Sequence, residues 1–396
     1  MPVAVKVKKC LEGSSWIRKM FEEGDQLRKE RGAENIFDFT LGNPTMEPPE
    51  ELHQELKRIA ASPVPGMHRY MNNAGYEETR AAVAAVIADN CHLPVSADHI
   101  VMTCGAGAAL NVVLKTLLNP ADEVVILSPY FVEYNFYIDN HGGIPVVVPT
   151  TETFQPDLNA IADAITSRTK ALIVNSPNNP TGVIYPAETL KKIGEILTAK
   201  EQKFGTTIVA ISDEPYARIS FGEEVPCVFN AIANSIIVTS HSKDLALPGD
   251  RIGYLAASPS LTDIELFMQG AIFANRVLGF VNAPALMQRL ITRLQRVSVD
   301  VEQYRIKCDL LYNKLIELGF EVVKPGGGFY LFPRSPLADE IEFIRRAQQH
   351  GILLVPGSGF GAPGFFRIAY CVEDDMIKRS LSAWEKLAAE LGMVAE

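Results

Sequence analysis

The sequence has no long apolar run and few basic residues. Its 396 residues contain no segment near the ~18 consecutive apolar residues of a membrane-spanning helix. Residues 1–9 lack the uninterrupted apolar core of a signal peptide. The 37 Lys and Arg residues are outnumbered by 47 Asp and Glu residues, and the net charge of -10 argues against a nucleic-acid or anionic membrane surface. We therefore expect a small-molecule partner, with no nucleic acid and no membrane.

Cysteine is also sparse, and its spacing excludes the usual metal sites. The chain has no Cys-x-x-Cys pair and no spacing typical of metal ligands. We predict reduced, mostly buried thiols, no metal, and a cytoplasmic location. The six residues are Cys10, Cys91, Cys104, Cys227, Cys308 and Cys371.

Short β-branched runs recur between about residues 98 and 256, each followed by small or polar residues and then by a helical pattern. Near-continuous apolar strands that alternate with helices are typical of a mainly parallel sheet covered on both faces. We therefore predict a large α/β domain. The runs cover residues 100–103, 123–127, 171–174, 207–211, 236–239 and 252–256.

Both ends of the chain carry a different pattern, which predicts a smaller α+β domain. Short strands are expected at residues 329–332 and 366–370, after a turn at Gly326–Gly328. Since no flexible linker separates the two parts, we expect them to pack closely. Helices are predicted at residues 14–30, about 284–317 and about 374–391.

Small and aromatic residues follow the first two predicted strands, at the sheet edge where open α/β sheets bind ligands. Gly105, Ala106 and Gly107 open a helix, so their backbone amides could approach a phosphate at its positive end. Tight helix packing is the alternative. Phe131 lies in an aromatic cluster that includes Tyr134, and such a ring either stacks on a flat ligand or fills the core.

Polar residues follow the next two strands. Residues 176–182 read Ser-Pro-Asn-Asn-Pro-Thr-Gly, and this unusual backbone either aims the amide of Asn179 or forms only a tight turn. Asp213 ends a buried strand and needs a cationic or hydrogen-bonding partner, unless it caps a helix. Tyr216 follows three residues later.

Lys243 follows another apolar strand. Ser240 and Ser242 precede it, and Arg251 comes eight residues later. A lysine in this position is usually solvated, and a nearby arginine is usually a surface ion pair. The combination gains weight because all these groups suit one cofactor, a phosphorylated pyridine aldehyde. Such a ring needs a carboxylate, a flat neighbour, donors to its phenolic oxygen, a phosphate cradle and an amine.

On these residues the chain resembles the class I and II aminotransferases, which are fold type I enzymes dependent on pyridoxal phosphate. The resemblance extends over nearly the whole length, with matching segments at residues 39–44, 70–80, 178–182, 240–251 and 366–369. It implies a large domain whose mainly parallel seven-stranded sheet is sandwiched by helices, and a smaller α+β domain from both chain ends. The implied divisions are an N-terminal arm with part of the small domain (1–48), the cofactor-binding domain (49–285) and the C-terminal small domain (286–396).

The resemblance also implies a role for each residue of the cofactor site. Lys243 would hold the cofactor as a Schiff base, and Asp213 would pair with its ring nitrogen. Asn179 and Tyr216 would bind the phenolic oxygen, while Phe131 would stack on the ring in place of the tryptophan of some members. The phosphate would be bound by Ser240, Ser242, Arg251, the backbone of Gly105, Ala106 and Gly107, and Tyr70 from the neighbouring subunit.

For the substrate, the resemblance implies that Arg367 binds the α-carboxylate with its two-pronged guanidinium. The backbone around Gly42 would close over the substrate, and Asn179 would contact it. In the aspartate-specific subgroup, an arginine of the partner subunit binds the distal carboxylate, at a position that corresponds approximately to Phe273. Arg276 lies three residues later, where it serves a dicarboxylate or merely ends a helix.

These roles predict an aminotransferase that moves the amino group of an L-amino acid, best aspartate, to a 2-oxo acid such as 2-oxoglutarate. The mechanism would be ping-pong, in a homodimer with shared active sites. Because the same fold hosts other reactions, a C–S lyase or an aminotransferase for aromatic or aliphatic amino acids is the alternative. A non-enzymatic cofactor-binding regulator is more remote, since it needs a DNA-binding module and a basic face.

Overall fold

The computed structural model describes residues 2–13, 24 and 26–393. The chain divides into two compact units. The larger unit holds Pro44–Gln303 and Pro325–Gly328, and the smaller unit holds the chain up to Asn43, Tyr304–Lys324 and the chain from Phe329 onwards. The assignment of cofactor binding to residues 49–285 stays a prediction, as do the flanking divisions 1–48 and 286–396.

The helices and strands are numbered in chain order. The strands are β1 (Phe37–Asp38), β2 (Ile100–Thr103), β3 (Glu123–Ser128), β4 (Ile144–Pro149), β5 (Thr169–Asn175), β6 (Val209–Asp213), β7 (Ser235–Ser240), β8 (Gly253–Ala257), β9 (Tyr330–Leu331), β10 (Ile352–Leu353), β11 (Val355–Pro356) and β12 (Phe366–Ala369). The helices are α1 (Val5–Gly13), α2 (Glu50–Ala61), α3 (Glu77–Cys91), α4 (Ala106–Leu117), α5 (Glu133–Asn140), α6 (Leu158–Ala164), α7 (Ala187–Phe204), α8 (Ile264–Val277), α9 (Ala285–Ile291), α10 (Val301–Glu317), α11 (Glu340–Gln349) and α12 (Asp374–Glu390). Within the described ranges, no helix is both long enough and apolar enough to cross a membrane.

A seven-stranded sheet forms the centre of the larger unit, in the order β2-β8-β7-β6-β5-β3-β4. The strands from β7 to β4 are parallel, and β8 runs antiparallel to both of its neighbours. Every residue of β2 and β6 is buried, because both faces of the sheet are covered by other elements. On one face, α4 packs against α8 within the main apolar cluster. The predicted α/β class with a mainly parallel sheet is confirmed.

The edge strand β4 was absent from the sequence-based prediction. It pairs with β3 alone, and its residues are mostly half-buried or exposed. Its Pro145 and Pro149 can be accommodated at an edge, where a strand leaves one row of backbone groups unpaired. Half-burial and proline together removed the continuous apolar signal that identified the other strands.

The predicted single helix at about 284–317 is wrong, because the structure has two helices there, α9 and α10. The backbone amide of Val299 donates to the carbonyl of Asp244 at 2.7 Å, so the intervening segment finds a partner outside the helix. The side chain of Asp300 then accepts a hydrogen bond from the amide of Glu302 at 3.1 Å. This bond supplies the side-chain cap that favours a new helix start.

The smaller unit contains an antiparallel sheet of order β11-β12-β9 and a parallel pair, β1 with β10. The predicted strands at 329–332 and 366–370 correspond to β9 and β12, and the predicted last helix corresponds to α12. The core of the smaller unit includes Phe320 and Trp384, whose ring centroids lie 5.7 Å apart. Of the helix predicted at 14–30, residues 14–23 and 25 lie outside the described residues, while residues 26–31 are helical.

The prediction that all cysteines are thiols is wrong for Cys91 and Cys227. These two residues form a disulfide with a Cα–Cα distance of 5.7 Å across a sequence separation of 136. The bond joins the last residue of α3 to the loop before a 3-10 helix at Val228–Asn230. No local spacing rule detects such a pair, because only the fold brings the two segments together.

Candidate active site

Asp213 is a buried carboxylate at the carboxyl end of β6, with 4% of its surface exposed. Its Oδ2 accepts a hydrogen bond from the hydroxyl of Tyr134 at 2.6 Å. Its Oδ1 is buried and has no hydrogen-bond partner among the described residues. Burial raises the pKa of Asp213 to about 7, against the smaller lowering effect of the Tyr134 hydrogen bond. A buried acid that is half satisfied can bind a further donor or cation at its second oxygen.

Tyr134 is the residue that orients this carboxylate, and sequence reasoning missed that role. The aromatic cluster around residues 130–134 suggested stacking or core packing, whereas the hydroxyl of Tyr134 reaches Asp213 from the first turn of α5. The ring of Phe131 meets that of Tyr134 edge-on, with centroids 5.6 Å apart. The predicted stacking residue thus lies beside the buried acid.

The loop after β5 is fixed by a second residue that sequence reasoning missed, Asn175. Its side-chain amide donates to the backbone carbonyl of Asp213 at 2.8 Å, and its side-chain oxygen accepts from the backbone amide of Asn179 at 2.7 Å. These two bonds join Asn179 to the end of β6. The detectable signal was a polar residue that ends an otherwise apolar strand.

Tyr216 and Lys243 lie on turns that follow two neighbouring parallel strands. Tyr216 is 4% exposed and follows β6, while Lys243 is partly buried and follows β7. Because β6 and β7 pair in parallel, their carboxyl ends lie at the same edge of the sheet. The fold therefore brings the predicted amine and the predicted phenol-binding group to that edge together with Asp213.

Gly105 and Arg251, both predicted to bind phosphate, lie close together. A Cβ at Gly105, which has φ +87°, would lie 2.8 Å from Nη2 of Arg251. The guanidinium of Arg251 also donates to the carbonyls of Pro248 at 2.8 Å and Cys104 at 3.2 Å. Gly105 immediately precedes α4, so the cation lies beside backbone amides at a helix N-terminus, an arrangement that favours phosphate.

The other residues predicted to bind phosphate differ in exposure. Ala106 and Gly107 begin α4. Ser240 and Ser242 are 5% and 7% exposed, at the end of β7 and in the turn after it. Tyr70 differs from all of these, since 90% of its surface is exposed.

Arg367 and Gly42, both predicted to bind substrate, lie against the same residue of the smaller unit, Tyr330. The guanidinium carbon of Arg367 lies 4.6 Å from the ring centroid of Tyr330 and 4.7 Å from that of Phe360. Its Nη2 donates to the carbonyl of Thr40 at 2.7 Å. A Cβ at Gly42 would lie 2.0 Å from the hydroxyl of Tyr330, so the close approach requires glycine. Two rings and a carbonyl thereby hold the guanidinium in one orientation.

Arg276 has different surroundings. It lies in the last turn of α8, its side chain is exposed, and its guanidinium carbon is 5.5 Å from the ring centroid of its own chain's Phe273. In a single chain Arg276 thus lies at a helix end, and its role toward a dicarboxylate stays a prediction. Across the described part of the chain, no group of three or more His, Cys, Asp or Glu residues could hold a metal ion.

The model of the family described as aminotransferase class I and II matches residues 34–383. The chain belongs to this family. It is therefore a transaminase that depends on pyridoxal phosphate, and the predictions of family, enzyme class and cofactor are confirmed.

Relatives of this aminotransferase match it over nearly their full length. It is 34% identical to the probable aspartate/prephenate aminotransferase of Thermus aquaticus, covering 90% of this chain and 92% of that protein. It is 33% identical to the aspartate/prephenate aminotransferase of Thermus thermophilus, covering 92% and 94%. A crystal structure of an amino transferase from Eubacterium rectale matches with a TM-score of 0.94 at 36% identity, covering 98% and 99%.

The residues of the larger unit fit pyridoxal phosphate at two places. The second oxygen of Asp213, which lacks a partner among the described residues, can accept a hydrogen bond from a protonated ring nitrogen. Arg251 beside the N-terminus of α4 offers charge and backbone amides to a phosphate. The larger unit thus offers acceptor chemistry for the ring and donor chemistry for the phosphate.

Proposed function

We propose that this aminotransferase moves the amino group of aspartate to 2-oxoglutarate in a ping-pong reaction. The observation that carries the cofactor assignment is the buried, half-satisfied carboxylate of Asp213. The choice of aspartate is supported by the names of the Thermus relatives, which are aspartate/prephenate aminotransferases. Prephenate is the second acceptor to test, because it is also a 2-oxo acid with a distal carboxylate.

When bound, pyridoxal phosphate supplies an aldehyde that takes the substrate's amino group and a protonated ring that withdraws electrons from its α-carbon. Asp213 would keep the ring nitrogen protonated, since its ionised carboxylate favours the cation. Tyr134 holds that carboxylate in place. Asn179 and Tyr216 would donate to the phenolic oxygen, and Phe131 would stack on the ring.

Lys243 would anchor the cofactor and act as the base. Once the substrate's amino group has displaced it, the amine of Lys243 would take the proton from the substrate's α-carbon and pass it to the carbon that carried the cofactor's aldehyde oxygen. Arg251 would bind the phosphate with its guanidinium. The other phosphate donors would be Ser240, Ser242, the backbone of Gly105, Ala106 and Gly107, and Tyr70 of the partner subunit.

Arg367 would bind the substrate α-carboxylate, and Asn179 and the backbone at Gly42 would also contact the substrate. The stacked, hydrogen-bonded guanidinium of Arg367 supports this role, because an oriented fork recognises a carboxylate with less loss of side-chain freedom. Arg276 of the partner subunit would bind the distal carboxylate of a dicarboxylic substrate. Its exposure in the single chain leaves it accessible to a second subunit.

We also propose a homodimer with shared active sites and a cytoplasmic location. The 90% exposure of Tyr70 supports the dimer, since its ring and hydroxyl are accessible to a second subunit. The location is supported by the small-molecule chemistry of the family. The cysteines do not support a cytoplasmic location, because Cys91 and Cys227 form a disulfide.

The substrate assignment is tested with a panel of amino donors, using 2-oxoglutarate and prephenate as acceptors. We expect Arg276→Ala to reduce the preference for aspartate over alanine in kcat/KM, by an amount that corresponds to about 1.5 to 3 kcal/mol for one charged hydrogen bond. Arg296→Ala is the matched control, since Arg296 is also exposed and pairs with Asp89. An unchanged preference removes Arg276 from the site. Release of ammonia or a thiol without any 2-oxo acid indicates the C–S lyase instead.

The dimer is tested by mixing inactive Tyr70→Phe and Lys243→Ala subunits. If the sites are shared, each mixed dimer has one site with both wild-type residues, so part of the activity returns. A fully active monomer in sedimentation contradicts the proposal.

A further inference from the structure

A buried ionic network lies next to Lys243 in the chain and has no role in the function proposed above. Its centre is Asp244, which is 4% exposed. Oδ2 of Asp244 accepts hydrogen bonds from Nη1 of Arg218 at 3.2 Å and from Nδ1 of His241 at 3.1 Å. Both donors meet the same oxygen, so the carboxylate holds two segments of the chain at one point.

Gln295 determines how His241 takes part. The side-chain nitrogen of Gln295 donates to the carbonyl of Ile291 at 3.0 Å and lies 3.4 Å from Nε2 of His241. Because this nitrogen is a donor, Nε2 of His241 is the acceptor, and the ring carries its proton on Nδ1. That proton points to Asp244. The hydrogen bonds therefore run one way, because Gln295 donates to His241 and His241 donates to the carboxylate of Asp244.

The network joins the two turns that carry proposed cofactor residues. Arg218 follows Tyr216 by two residues after β6, and Asp244 directly follows Lys243 after β7. The backbone of Asp244 is held as well, since its carbonyl accepts from the amide of Val299 at 2.7 Å. A displacement of either turn would stretch the contact between Arg218 and Asp244.

A cavity of about 150 Å³ lies beneath these turns. Its lining includes Arg218, His241, Asp244 and Gln295, and the Cys91–Cys227 disulfide forms part of its wall. Close-packed side chains fix most buried turns, and a cavity leaves the residues that line it without protein contacts on one side. Here the ionic network has to supply the rigidity that packing leaves out.

We propose that Arg218, Asp244 and His241 are positioning residues that fix the amine of Lys243 relative to Tyr216. The inference rests on the proposed roles of Lys243 and Tyr216. None of the three has to touch substrate or cofactor, because they act by holding two turns at one separation. Without the carboxylate, Arg218 and His241 lose their common acceptor, and the turn can move into the cavity.

The main test is Asp244→Asn, which removes the charge and keeps the size. We expect kcat to fall between about 10-fold and 100-fold, the range that a small misplacement of a reacting group produces, while KM for the amino donor changes little. A second readout uses the apoprotein with added pyridoxal phosphate. Borohydride quenching at successive times, followed by peptide mapping, should show slower covalent capture at Lys243 with the same final yield.

Arg218 offers a conservative rescue. Arg218→Gln should behave like Asp244→Asn, whereas Arg218→Lys keeps a cation and should retain most of the rate. The double variant with Asp244→Asn should be no slower than the slower single variant, because both changes break one interaction. Equal rates for the Lys and Gln variants contradict the proposal, and they do so even if Asp244→Asn fails to fold.

Glu123→Gln is the matched control. The side chain of Glu123 is 5% exposed and pairs with Arg168, while that of Asp244 is 6% exposed and pairs with Arg218. The control should lose stability and keep wild-type kcat and capture rate. If Asp244→Asn shows the same result, the positioning role is wrong. If borohydride labels the wild-type protein on a lysine other than Lys243, the proposed role of Lys243 is wrong, and the positioning proposal loses its basis.

Discussion

Two buried carboxylates stand at opposite ends of the central sheet, Glu123 at the start of β3 and Asp213 at the end of β6. Each is 4% exposed. Glu123 accepts hydrogen bonds from both Nε and Nη2 of Arg168, from Thr166 at 2.5 Å and from Thr169 at 3.4 Å. Asp213 accepts one side-chain hydrogen bond, from Tyr134, and its other oxygen is orphaned among the described residues.

Equal burial with unequal satisfaction supports a structural role for Glu123 and the proposed cofactor role for Asp213. The partners of Glu123 leave little for a ligand to bind, so its carboxylate stabilises the fold. Asp213 is half satisfied, and a buried polar atom without a partner costs stability. The proposed cofactor would offset that cost at Asp213, because its ring nitrogen would donate to the oxygen that lacks a partner.

The largest expected effect at the functional end of the sheet is that of Lys243→Ala. Without the amine, the protein should lose almost all turnover while it still binds the cofactor through Asp213 and Arg251. Borohydride should fix the cofactor on the peptide that contains Lys243 in the wild-type protein, and peptide mapping checks this. Labelling of another lysine, or of none after reconstitution, would remove the basis of the site assignment.

The direct test of the comparison is the pair Asp213→Asn and Glu123→Gln. We expect turnover to fall by more than about 100-fold in Asp213→Asn, because a neutral amide does not favour the protonated ring that draws electrons from the substrate. Glu123→Gln should keep turnover and lose about 1 to 3 kcal/mol of unfolding free energy. Steady-state kinetics and denaturant unfolding measure the two effects. Equal losses of turnover in the two variants would show that Asp213 and Glu123 do not differ in function.

The buried carboxyl of Asp213 also predicts a pH dependence for the stability of the apoprotein. Asp213 has a pKa of about 7 in the fold, above the ordinary value of 3.8, so the folded state binds more protons than the unfolded state between these values. Stability therefore falls as pH rises through this window. Asp213→Asn lacks this titration. The Tm of Asp213→Asn minus the Tm of wild type should therefore increase from about pH 4 to pH 7.

Glu214 also makes stability fall with rising pH in both proteins, since burial raises its pKa to about 7. The charge of Asp213 adds a smaller raising effect on Glu214, which Asp213→Asn removes. For this reason the readout is the difference in Tm between the two proteins. A difference in Tm that does not change with pH contradicts the raised pKa of Asp213.

A smaller effect is expected for Tyr134→Phe. The hydroxyl of Tyr134 lowers the pKa of Asp213, so its removal should raise that pKa and move the acidic limb of the kcat/KM profile to higher pH. The lost bond to a charged group corresponds to about 1.5 to 3 kcal/mol. Tyr304→Phe is the control, since Tyr304 is also buried and its hydroxyl has no partner in the described residues. An unshifted limb in Tyr134→Phe would show that Asp213 is held by other means.

Local patterns predicted much of the fold and of the site. The apolar runs located six strands of the central sheet, and the motifs after them placed Asp213, Tyr216 and Lys243 at its carboxyl edge. The prediction failed where the signal was weak or absent. Edge strand β4 contains two prolines, and the helix predicted from 284 is interrupted where Val299 donates to Asp244.

The sequence by itself determined the fold class, the family and the kinds of residue at each strand end, because apolar periodicity and short motifs are properties of neighbouring residues. Only the tertiary structure decided which side chains meet. Tyr134 reaches Asp213 across 79 residues, Arg218 reaches Asp244 across 26, and Cys91 joins Cys227 across 136. The physical reason is that hydrogen bonds act over about 3 Å of space, whatever length of chain lies between the two groups.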